Sequence, residues 1–131
     1  MNNTDCIKLS FPVNPAYVSL ARLTVSNVAN RLHFGIDDIE DIKTAVSEAC
    51  TIIIKQLDTT ATNTNFEVSI KPHLEEGIAV EILTPGNYAS ESLDNNEMSI
   101  MMIRALVDEF SMVNQEMSSV TSIKKMKNAT A

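Results

Sequence analysis

The spacing of the apolar residues changes near position 65, and that change decides what kind of fold this chain can reach. Before it, apolar side chains recur every three or four positions: Val18, Ala21, Val25, Val28 and Leu32, then Ile39, Ile42, Val46, Ala49, Ile53 and Leu57. That spacing gathers them into a single stripe along an α-helix. After it, Phe66, Val68 and Ile70 alternate with Glu67 and Ser69, and Ile78, Val80 and Ile82 repeat the pattern. Alternation is the period of a strand with one buried face. Pro72 to Gly77 supplies a turn between the two runs, so they pair as an antiparallel hairpin that Pro85-Gly86 ends.

The flanking segments complete the reading. Cys6, Ile7, Leu9 and Phe11 form a strand that stops at Pro12. Asn14-Pro15 predicts the start of the first helix, because asparagine accepts from orphan amides and proline at the first helical position loses no bond. Gly35 is the expected stop. Asp37 and Glu40, three apart, predict a capping box for a second helix running to about Asp58. Residues 59–65 read as a polar loop and 87–96 as a turn-rich one. Met98, Met101, Met102, Ala105, Leu106 and Phe110 outline a third helix, capped by Asp94 or Asn96, with its methionines expected as adaptable core. Phe110, Met112 and Asn114, then Val120, Ser122, Lys124 and Met126, predict a last hairpin, and residues 124–131 a frayed tail. The order β-α-α-β-β-α-β-β makes an α+β, two-layer sandwich: a mostly antiparallel sheet with helices on one face. At 131 residues it is expected to be a single domain.

Seventeen acidic against ten basic residues give a net charge of -7, which argues against a nucleic-acid partner. No apolar run reaches the roughly 18–20 residues of a membrane span, and the start lacks a secretory pattern, so a cytoplasmic protein is expected. Cys6 and Cys50 match no metal spacing and are expected as two buried, reduced thiols. His33 and His73 stand in no nucleophile or ligand constellation. The cluster Asp37, Asp38, Glu40 and Asp41 reads as compensation of a helix dipole.

The run Ile39-Glu40-Asp41-Ile42-Lys43-Thr44-Ala45-Val46-Ser47-Glu48-Ala49-Cys50-Thr51 resembles the N-box helix of the anti-sigma-factor serine-protein kinases, a branch of the GHKL (histidine-kinase-like) ATPases. Phe11-Pro12, Pro15 to Val18 and Ala21 to Val25 resemble the family's first strand and helix, and Leu106 to Phe110 the end of its last helix. The resemblance is dense over 11–57 and thin over 58–100. It implies the same order of elements.

The resemblance also assigns roles, position by position. Glu48 stands where the family's glutamate activates a serine hydroxyl of a partner protein. Four residues on, the family's magnesium-binding asparagine is Ile52, which has no oxygen to offer a hard cation. The histidine often found a turn later is Lys55. The family's Asp-x-Gly, whose aspartate binds the adenine amino group, is Thr84-Pro85-Gly86. Its glycine-rich phosphate turn is Asn96-Glu97-Met98-Ser99, and the lid between these motifs is short. Thr51, Thr84 and Gly86 therefore mark a degenerate nucleotide site, with no metal ligand at Ile52. Arg22 matches an arginine that contacts sigma factor and anti-anti-sigma protein; its plainer role is a surface ion pair. Glu48 has a plainer role too, as a solvated helix residue, and Ile52 as core.

The expected function is thus an anti-sigma-like regulator working by protein–protein binding in a partner-switching system, without ATP or magnesium. The alternative is an active serine-protein kinase that uses Glu48 as base and does bind ATP and magnesium. A protein partner is implied in both, with no nucleic acid and no membrane, and a homodimer is left open.

Overall fold

The chain folds in the order its periodicity predicts. The structure is a computed structural model that describes residues 5–56, 64–73, 76–86 and 96–127. Strand β1 (Ile7–Pro12) leads through a 3-10 turn (Pro15–Tyr17) into α1 (Val18–Arg31) and α2 (Ile36–Gln56). Strands β2 (Asn65–His73) and β3 (Gly77–Pro85), helix α3 (Glu97–Leu106), and strands β4 (Glu109–Asn114) and β5 (Ser118–Met126) follow. The strands form one antiparallel sheet in the order β1-β2-β3-β5-β4.

Alternation puts Phe66, Val68 and Ile70 of β2 and Ile78, Val80 and Ile82 of β3 on the buried side of the sheet. They join Ala21, Val25 and Val28 of α1 and Ile42, Val46, Ala49 and Ile53 of α2 in a single apolar cluster. Phe11 seals the β1 edge against Phe66, ring centroids 5.2 Å apart. Each such side chain contributes about 1.5–3 kcal/mol on leaving water. Lys8, Glu67 and Glu81 alternate outward onto the open face.

The ends of the helices differ from expectation. Asn14 does cap the turn, its Oδ1 accepting from the Ala16 amide at 2.9 Å. Gly35 does not stop α1. His33 does, at a positive φ of 64°, while Phe34 N donates to Ala29 O. Gly35 instead opens α2, its carbonyl accepting from Ile39 N at 3.0 Å. Asp37 therefore lies inside the first turn rather than at a capping-box position. Helix α3 stops at Leu106, because Val107 turns extended, and Phe110 belongs to β4.

Three further expectations are corrected. The methionines of α3 are not core: Met98 and Met101 are 85% and 64% exposed, and only Ile103 of that helix is fully buried. Cys6 precedes β1 and is exposed, whereas Cys50 is buried, and both thiols are free. Residues 124–126 are no tail but the end of β5, paired to β3 as far as Met126 opposite Gly77. A Cβ on Gly77 would lie 2.1 Å from the Lys125 carbonyl oxygen, so that close pairing demands glycine. Leu57, Asp58, most of the loop at 59–65, the segment 87–95 with Asp94, the tail at 128–131 and the His73 side chain lie outside the described residues.

Candidate functional site

Helices α1 and α2 pack side by side, and their polar flanks leave a groove of about 450 Å³ between them. Arg22 and Leu23 line it from α1, and Glu40, Lys43, Thr44, Ser47 and Glu48 from α2. The α2 set follows the helical repeat, one polar stripe beside the buried stripe of Ile42, Val46 and Ala49. Glu48 and Arg22, 26 positions apart in sequence, thus open onto one surface.

The groove is partly neutralised from within. Lys43 Nζ donates to Glu40 Oε1 at 3.1 Å, an exposed pair of small energetic weight. Arg22 is exposed, and Glu48 is half-buried rather than fully solvated. The Ser47 hydroxyl is buried without a partner, although the Ser47 carbonyl accepts from Thr51 Oγ1 at 2.9 Å. That last bond turns Thr51 back onto its own helix. Tyr17 at the end of the 3-10 turn and Leu20 and Leu23 of α1 are exposed apolar residues at three-residue spacing, of which Leu23 lines the groove.

Of the positions that the sequence resemblance aligns with a nucleotide site, Ile52 and Thr84 are buried, whereas Gly86, Glu97 and Met98 are exposed. Ile52, one turn beyond Glu48, is 1% exposed and belongs to the core. Thr84 is fully buried, its Oγ1 without a partner. Gly86 takes a positive φ of 87° and is held by the β4–β5 turn: its amide donates to Met117 O at 3.1 Å, and its carbonyl accepts from Ser119 Oγ. Asn96 caps α3 through its carbonyl, with no side-chain cap bond, and Glu97 and Met98 project outward. An isoleucine, one sealed hydroxyl and a glycine-free helix start do not fit a magnesium-bound triphosphate.

Sequence reasoning singled out Arg22 and Glu48 but not the residues between them. The signal was present as polar residues at 40, 43, 44, 47 and 48, the complement of the apolar stripe. It also missed Lys125. This ammonium lies 3.6 Å from Asp38 and 3.7 Å from Asp41, and donates to Leu106 O at 2.8 Å. The acidic cluster therefore does more than offset a dipole. Two of its carboxylates bind the end of β5.

Comparisons with known proteins place the fold in a family. A family model described as the histidine kinase-like ATPase domain matches residues 11–125. The serine-protein kinase RsbW of Bacillus thuringiensis is 30% identical across 143 aligned positions, covering 95% of this chain and 87% of that protein. RsbW of Bacillus subtilis is 46% identical over 70 residues, a match that spans 53% of this chain and only 42% of the relative. The crystal structure of the RsbU and RsbW domains of a Mycobacterium tuberculosis protein superposes with a TM-score of 0.73 at 13% identity, covering 95% of this chain and 33% of that one. At that identity the likeness speaks for the fold.

Proposed function

The chain belongs to the histidine kinase-like ATPase domain family, among the serine-protein kinases named RsbW, and from that premise we propose an anti-sigma-like regulator that acts by binding protein partners. The supporting observation is the contrast between its two sites. The groove carrying Arg22 and Glu48 is open, while the position that would hold magnesium is an isoleucine buried in the core. In this reading partner exchange occurs in the cytoplasm on the α1–α2 surface, and ATP plays no part in it. Arg22 supplies the charge, and Tyr17, Leu20 and Leu23 supply the apolar contact that an interface core requires.

The second reading, an active kinase, draws on Glu48. A half-buried carboxylate in the groove that Arg22 also lines is the group to receive the proton of a serine hydroxyl delivered there. The same experiment separates the two. Wild type and Arg22→Glu are titrated calorimetrically with the cell's sigma factor and anti-anti-sigma protein, with and without magnesium-ATP, and labelled phosphate transfer is followed in parallel. The proposal expects affinity independent of nucleotide and no transfer. It expects Arg22→Glu to weaken binding by more than about 2 kcal/mol at unchanged far-UV circular dichroism. Robust transfer by the wild type establishes the kinase instead, and equal affinity of the variant removes the groove from the interface.

A further inference from the structure

We draw no further inference here: the strongest candidate, the trough on the open face of the sheet lined by Glu81, Ser111, Ser122 and Lys124, carries nothing, because no buried unpartnered group among the described residues is aimed into it and nothing in the structure shows what covers it.

Discussion

Ile52 is the residue on which the proposed loss of kinase chemistry can be tested most directly. It stands one helical turn from Glu48, at 1% exposure, within the apolar core cluster. Restoring an asparagine there would bury an amide without partners and remove packed methyl groups, so Ile52→Asn should lower stability by about 2–4 kcal/mol. Urea unfolding measures this. Phosphate transfer should stay absent, because neither the glycine turn nor the adenine-binding carboxylate returns with it. Cys50, two positions earlier, carries a different consequence of burial: loss of hydration pushes its thiol from 9.0 up to about 12. The unfolded thiol ionises first, so the folded state keeps this contribution below pH 9.0 and loses it as pH rises towards 12. The whole effect is on the order of a few kcal/mol. Unfolding midpoints of wild type and Cys50→Ala should therefore converge between pH 9.0 and 12, the wild type falling faster. A constant difference across that range would refute the assignment.

Between elements, Lys125 is the residue that ties most together. Its ammonium reaches two carboxylates in the first turns of α2 and the last carbonyl of α3 from the end of β5, with its side chain 13% exposed. Lys125→Met should cost about 1–3 kcal/mol, since Asp38, 14% exposed, loses a cation close at hand. Faster hydrogen exchange should concentrate at the end of α3 and the start of α2; uniform exchange would deny the residue its linking role. This is also where sequence reading reached its limit. The apolar stripes of α1 and α2 and the alternation of β2 and β3 are local patterns, and they were legible. Lys125 reads from sequence as part of a polar tail because its two carboxylate partners lie 84 and 87 positions upstream. The stop of α1 was misplaced for a related reason. Glycine is the default at a left-handed residue, and here a histidine takes that conformation while Gly35 stands two positions later.

For the molecule as a whole, the proposal of a protein-binding regulator without nucleotide predicts thermal behaviour. A ligand at a hundred times its dissociation constant adds about 2.7 kcal/mol, several degrees for a domain of this size. Millimolar magnesium-ATP should shift the melting temperature by less than about 1 °C, and a rise above about 5 °C that EDTA abolishes would show a working site. The architecture was readable in advance, whereas the open groove and the exposed side of α3 were not. The groove joins residues from separate helices, and the α3 methionines carry an apolar pattern that sequence alone assigns to the core. The unequal pair of cysteines has a practical outcome. Thiolates add to the double bond of maleimides, and of these two sulfurs one is exposed before β1 while the other is sealed in α2 and protonated at neutral pH. The natural chain can therefore be dye-labelled at Cys6 alone, without mutagenesis, giving a single fluorescent reporter beside β1, at the edge of the sheet opposite β4.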